Sequence, residues 1–253
     1  MKRFALALAA IACLADAASA GSLKEIQAAK TLRIGTEGTY APFTFHDASG
    51  QLVGFDVEIG REVAKRLGVE PRFVEGKWDG LIAGLGADRY DAVINQVGIT
   101  EERKARYDFS DPYIVSKAVL IVKKGNEDIK SFADLKGKRA AQSLTSNYGK
   151  IAEGAGATLV GTDGFDQSIQ LVLTGRADAT INDNLSFLDF AKHKPDAPVA
   201  IVATQDEAAA SGIIVQKDNP DLVAAINKAL AEIKSDGTYD AISQKYFGAD
   251  VSR

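Results

Sequence analysis

The chain has 253 residues, 46% of them hydrophobic, a formal charge of −4, two histidines and a single cysteine. A mildly acidic balance excludes a protein that grips the nucleic-acid backbone, which needs a basic face. Nowhere does an apolar stretch reach the ~20 residues of a membrane-crossing helix, and one cysteine excludes an internal disulfide framework.

Residues 1–20 read as an export signal rather than as part of the fold. Lys2 and Arg3 form a basic n-region, Phe4 to Leu14 an apolar h-region, and Ala18-Ser19-Ala20 a small-residue cleavage site. Cys13 falls inside this segment, and the Ala10-Ile11-Ala12 before it is a poor lipobox. The mature chain is therefore expected to begin near Gly21 without cysteine, and losing Lys2, Arg3 and Asp16 takes the formal charge from −4 to −5. Its length suits one large domain or two small ones at ~100–200 residues each.

Short β-branched runs then alternate with amphipathic segments, which predicts an α/β protein with parallel sheets covered by helices. Leu32 to Ile34 reads as a first strand, followed by the loop Gly35 to Phe43 and by two short strands around the turn Asp47 to Gly50. Asp56 is expected to cap a helix whose Ile59, Val63 and Leu67 share one face and which Gly68 stops. Pro71 to Val74 is a strand, Leu81, Ile82 and Leu85 belong to a short helix, and Asp91 to Asn95 is a buried strand ending in polar residues.

A second set follows. Ala118 to Val122 and Lys138 to Gln142 are strand-like, Ser131 caps a helical turn, and Ser143 to Tyr148 is a polar entry to a helix. Ile169, Leu171, Val172 and Leu173 mark a helix, and Ala179 to Ile181 a strand. Asn219 and Pro220 stand as N-cap and first position of a long helix with the stripe Leu222, Ile226, Leu230 and Ile233, closed by Gly237. A last amphipathic segment carries Tyr239, Ile242 and Tyr246.

One internal echo organises these elements. Arg89-Tyr-Asp-Ala-Val-Ile-Asn-Gln96 matches Arg176-Ala-Asp-Ala-Thr-Ile-Asn-Asp183 position by position. Two copies so far apart are no solenoid; two similar α/β lobes, each presenting a polar strand end, account for them. Ligands of open α/β sheets bind beyond the carboxyl ends of the strands. Facing lobes would bring Gln96 and Asp183 to one cleft.

The chemistry on offer is binding chemistry. Arg103, in a charged run that Thr100 begins, can fork two N–H donors onto a carboxylate; the plainer reading is a solvated helix face. Asp183 can accept from an ammonium group, or can simply cap a helix. An unpaired charge of either sign in a dry cleft would cost several kcal/mol, so the two suit a zwitterion. Trp78, the only tryptophan, and Tyr40, in a Gly- and Pro-flanked loop, can sandwich an apolar ligand part, although a lone Trp is ordinarily core. Ser143, Thr145, Ser146 and Asn147 offer hydroxyls and free N–H groups at a helix start; capping alone would use one of them. His46 and His193 lack metal-ligand spacing. Neither a G-x-S-x-G elbow, a P-loop nor a G-x-G-x-x-G turn occurs, so no catalytic residue, metal or cofactor is expected.

Gly35-Thr-Glu-Gly-Thr-Tyr-Ala-Pro-Phe43, Gly54-Phe-Asp-Val-Glu58, Ile99-Thr-Glu-Glu-Arg103, Phe109-Ser-Asp-Pro-Tyr113 and Gly237-Thr-Tyr239 resemble the family 3 solute-binding proteins. These are periplasmic polar amino-acid receptors of ATP-binding cassette (ABC) importers, and the likeness spans essentially the whole mature chain. Lys77-Trp-Asp-Gly80, Asn95-Gln-Val97 and Lys123-Lys-Gly-Asn-Glu127 look most like the cystine-binding branch. The resemblance implies the two-lobed periplasmic binding protein type II fold: lobe 1 over 21–116 and again over 210–253, lobe 2 over 117–209, with a two-segment hinge.

It further implies roles for single residues. Arg103 would hold the α-carboxylate, helped by Ser146 and nearby backbone, and Asp183 the α-ammonium, helped by main-chain oxygen near Gln96. Tyr40 and Trp78 would line the side-chain pocket, and Glu37 sits where the family contacts a ligand's distal group. Two departures stand out: Gly98 where the family usually has Ser or Thr, and Thr145 where Gly is usual. The expected protein is a monomeric, periplasmic amino-acid receptor that delivers its ligand to a membrane permease. It would be neither an integral membrane protein nor a partner of nucleic acid. The alternative is an enzyme on the same scaffold, because a periplasmic cyclohexadienyl dehydratase also resembles this family.

Overall fold

The β-branched runs assemble into two five-stranded sheets in the computed structural model, which describes residues 21–252; the export-signal reading falls on residues outside these. One sheet runs in the order Glu70–Glu75, Thr31–Thr36, Ala92–Val93, Ile214–Gln216, Tyr107–Phe109. The other runs Thr158–Gly161, Arg139–Gln142, Ala179–Asp183, Ala118–Lys123, Val199–Thr204. In each, the first three strands are parallel, and the fourth is antiparallel to both its neighbours. Each sheet with its helices forms one lobe. Ile214–Gln216 follows the whole second sheet in sequence yet pairs inside the first, so the chain crosses between lobes twice. The crossings, Ile114–Ser116 and Ala209–Ser211, pair antiparallel with one another.

The sequence echo is structural. Asp91 accepts from the Arg33 backbone N–H at 2.8 Å and from its Nη2 at 2.6 Å. Asp178 does the same for Arg139, at 2.8 and 2.7 Å. Each pair staples the middle one of the three parallel strands to the start of the third. Side-chain bonds to charged groups of this kind contribute more than neutral ones, and here they fix the register from which the next polar residues leave each sheet.

Packing follows the predicted stripes. Ile59 and Val63 meet Leu222, Ile226, Leu230, Ile233, Tyr239 and Ile242 in one buried cluster, at ~1.5–3 kcal/mol for each fully buried large apolar side chain. Asp56 corrects its expectation. The helix Phe55–Arg66 has Gly54 as N-cap, at φ 132°, and Asp56 lies within the first turn, fully buried. A Cβ on Gly54 would stand 2.1 Å from the Phe43 carbonyl oxygen, so only glycine brings the chain in this close. The carboxylate of Asp56 is thereby free to accept from Gln96 and Tyr113 rather than from its own helix. Asn219 takes the N-cap position before Pro220, but its side chain donates to the Gly21 carbonyl instead of capping.

Among the described residues no helix is long and apolar enough to cross a membrane, and no group of three or more His, Cys, Asp or Glu is placed to hold a metal.

Candidate functional site

The carboxyl ends of the parallel strands in both sheets point into one cleft between the lobes. Thr36 leads to Glu37, Val93 to Asn95 and Gln96, Gln142 to the helix Asn147–Gly154, and Ala179–Asp183 ends in Asn182 and Asp183. The cleft holds about 460 Å³ of atom-free space, part of it open to solvent. Glu37, Tyr40, Trp78 and Gln96 line it from one side. From the other come Ser146 and Asn147, together with Gln142, Ser143, Tyr148, Phe165, Ser168 and Asn182.

Arg103 is not among the lining residues but packs over one of them, Trp78. Thr100 caps its short helix by accepting from the Arg103 N–H at 3.2 Å. The guanidinium is partly buried; it donates to the Gly98 carbonyl at 2.9 Å and lies 5.3 Å from the centre of the Trp78 ring. Among the described residues no carboxylate lies within ion-pair reach of it, and burial lowers its pKa. A Cβ on Gly98 would meet only ordinary contacts, 3.5 Å from Arg103 Nη1 and 3.7 Å from the Asn147 side chain.

Carboxylates line the same region in buried form. Glu37 accepts from Asn95 Nδ2 at 2.6 Å, and burial, opposed by that bond, pushes its pKa up to about 7. Asp183 caps the helix Asn184–His193 through Leu185 N–H at 2.8 Å and accepts from the hydroxyls of Tyr148, at 3.2 Å, and Ser116. Burial raises it to about 6. It is not part of the cleft wall; Tyr148 is, and the Tyr148 hydroxyl is bonded to the Asp183 carboxylate.

Two polar atoms of wall residues have no partner among the described residues. Trp78 Nε1 and Gln96 Oε1 are buried, on residues each 8% exposed, and neither makes a hydrogen bond. A buried group left unpaired costs ~1–3 kcal/mol. Two wall residues therefore carry a donor and an acceptor that are left without a partner.

Two predicted residues join the lobes, Tyr40 while also lining the cleft and Thr145 from outside it. The Tyr40 hydroxyl donates to Asn182 Oδ1 at 2.7 Å. Thr145 lies outside the lining, and both its N–H and its Oγ1 donate to Asp79 Oδ1 at 2.9 Å. Lys77–Asp163 at 2.6 Å, Lys150–Glu102, and Ser186 Oγ to the Ala41 carbonyl at 2.8 Å complete the closure. Ser146 caps its helix through Gly149 N–H at 2.9 Å and still lines the cleft beside Asn147. His46 and His193 lie on a wider outer groove that shares Gly164 and Phe165 with the cleft. They pair with Glu75 at 3.3 Å and Asp189 at 3.4 Å respectively.

Sequence reasoning gave no role to Asn95 and Asn182. The echo held the signal, because they occupy the same position in its two copies and both leave a strand end to bind a cleft side chain. Phe165 and Ser168 carry no such mark; they stand on a helix whose Ile169 and Val172 pack in the core together with Phe165.

Residues 32–249 match the family model described as bacterial extracellular solute-binding proteins, family 3. The chain is 49% identical over 223 residues to the L-cystine-binding protein TcyA of Bacillus subtilis, covering 88% of this chain and 83% of that protein. An ancestral arginine-binding protein bound to arginine superposes with a TM-score of 0.81 at 44% identity, over 87% of this chain and 99% of that one. The L-cystine solute receptor of Neisseria gonorrhoeae in its unliganded open conformation is 50% identical over 92% of this chain and 99% of its own, yet scores 0.61. The lower score at higher identity accords with the contacts that close the cleft here.

Proposed function

The chain belongs to the bacterial extracellular solute-binding proteins, family 3, and from that membership we propose that it is the receptor of an amino-acid ABC importer, with L-cystine as its foremost ligand. Relatives of this chain are named as L-cystine-binding proteins in two other bacteria. The observation that carries the amino-acid reading is Arg103, a partly buried guanidinium with no carboxylate in ion-pair reach among the described residues, near a cleft that Glu37 lines and Asp183 backs through Tyr148.

In this reading Arg103 takes the ligand's α-carboxylate, with Ser146 and Asn147 closing on it from the other lobe. Acceptors at the ends of the third parallel strands take the α-ammonium, Asp183 contributing through its charge. Trp78 and Tyr40 flank the middle of the ligand. Glu37, held by Asn95 at the far side, suits a distal ammonium, and cystine carries a second amino-acid end. Binding then stabilises the closed state through contacts that only closure completes, and expelling water strengthens each charge pair.

The rest of the assembly is proposed on the same footing. Residues 21–116 and 210–253 form one lobe, 117–209 the other, and the paired crossings Ile114–Ser116 and Ala209–Ser211 act as the hinge. Residues 1–20 direct export to the periplasm, where the monomeric closed receptor docks on a membrane permease. Titration calorimetry of the purified mature chain against L-cystine and the standard amino acids tests the reading, with mass spectrometry of the recovered ligand. Saturable binding of an unaltered amino acid is expected. Absence of binding across the panel, or a ligand recovered chemically changed, would overturn it.

A further inference from the structure

Gln96 adopts an unusual backbone conformation for a clear reason. Its φ is 51°, in the left-handed region that residues other than glycine enter at a cost. The grip of Asp56 opposes that cost: Asp56 Oδ2 accepts from the Gln96 N–H at 2.8 Å, and Oδ1 from Gln96 Nε2 at 3.0 Å. Asp56 is fully buried and is itself held by the Tyr113 hydroxyl at 3.0 Å.

This grip decides which way the amide faces. Both Asp56 oxygens accept from Gln96, Oδ2 from the backbone and Oδ1 from the amide, so the Nε2 end is the one turned toward Asp56. The planar group then sends Oε1 the opposite way, and that atom is the buried acceptor without a partner in the cleft wall. Reversing the amide would set two oxygens against each other. Gln96 lines the cleft, so the acceptor left without a partner belongs to a wall residue.

We propose that Gln96 reads an N–H group of the ligand through its side-chain oxygen, and that Asp56, which touches no ligand, is the positioning residue that aims it. The inference rests on the amino-acid-receptor reading above. The N–H belongs either to the α-ammonium that every amino acid carries or to a nitrogen at the distal end, and the choice of ligands tells these apart.

Calorimetric titration of the mature chain with L-cystine and the standard amino acids, repeated on variants, provides the test. Gln96→Met keeps length and removes the acceptor, and should weaken binding ~10- to 100-fold, the worth of a hydrogen bond to a charged group. Gln96→Asn tolerates the left-handed backbone and draws the oxygen back by one methylene; it should weaken binding likewise even if the methionine variant folds poorly. Asp56→Asn is close to isosteric and should cost ~10-fold in the wild-type background but less than ~2-fold in Gln96→Asn, because it acts through Gln96 alone. Losses shared by every amino acid that binds assign the α-ammonium, and losses confined to ligands with a distal nitrogen assign that end. Wild-type affinity in both Gln96 variants would overturn the inference and leave the receptor reading standing. Losses that multiply in the double variant would remove the positioning role of Asp56. A wild-type protein that binds no amino acid would overturn both readings together.

Discussion

Replacing Arg103 by alanine should abolish ligand-induced stabilisation while leaving the ligand-free fold nearly as stable as before. In the free protein the guanidinium gives one bond to the Gly98 carbonyl and packs over Trp78, but burial works against its charge. These terms oppose, so the ligand-free Tm should move by no more than about 3 °C, about 1 kcal/mol at ~2–4 °C per kcal/mol for a chain of this size. With ligand at 100 times Kd the wild type gains ~2.7 kcal/mol, or roughly 5–11 °C. Truncating one side of a buried charged pair costs ~2–5 kcal/mol. At the middle of that range Kd rises more than ~100-fold, and the same ligand concentration then yields only about 1 °C. Differential scanning fluorimetry with and without L-cystine reads both quantities. An Arg103→Ala protein that keeps the full ligand-induced shift refutes the carboxylate assignment. One that melts far below the wild type without ligand would make Arg103 a structural residue.

Three further outcomes are expected. Burial raises Glu37 and Asp56 to about 7 and Asp183 to about 6, so each binds more protons folded than unfolded between about pH 4 and 7. Ligand-free Tm should therefore rise as pH falls from 8 toward 5, then fall as the carboxylates held low, among them Asp236 at about 2, are protonated. A Tm that declines steadily from pH 8 to 4 would contradict this, and Asp56→Asn should flatten the rise. Asp79→Asn weakens the bonds to Thr145 across the lobes, at ~0.5–1.5 kcal/mol. It should raise Kd about three- to tenfold for all ligands alike in calorimetry, and a change selective for one ligand would place Asp79 in the site itself. Trp78→Phe keeps a ring beneath Arg103 but deletes the unpartnered Nε1–H; ligand affinity should fall up to about tenfold with ligand-free Tm unchanged or higher. Unaltered affinity would mean that the indole N–H meets no ligand atom.

Much of this architecture could be read before any coordinate. The stripes of Phe55–Arg66 and Pro220–Ser235 lie where the spacing of Ile59, Val63, Leu222 and Ile226 put them, because a helix that must bury one face carries that face in its sequence. The repeated Arg-x-Asp octets mark equivalent strands because both aspartates hold an arginine of the neighbouring strand. Asp56 was misread because an acidic residue before an apolar helical run has the signature of an N-cap. Nothing local shows that Gly54 takes the cap, or that the carboxylate is claimed by Gln96, forty residues on. The bonds from Thr145 to Asp79 are equally unmarked in the sequence, because the two residues lie far apart in the chain and on opposite lobes. The return of Ile214–Gln216 into the first sheet has no local mark either, since three apolar or polar residues fit many strands equally well.

The central claim is that the cleft closes on a free amino acid, and Trp78, the only tryptophan, lies in its wall. Titrating L-cystine into the mature protein while following tryptophan emission tests this most directly. A saturable, single-site change that is lost in Arg103→Ala is the predicted result. Emission that stays constant for L-cystine and for every standard amino acid, in a protein that calorimetry also finds silent, would contradict it.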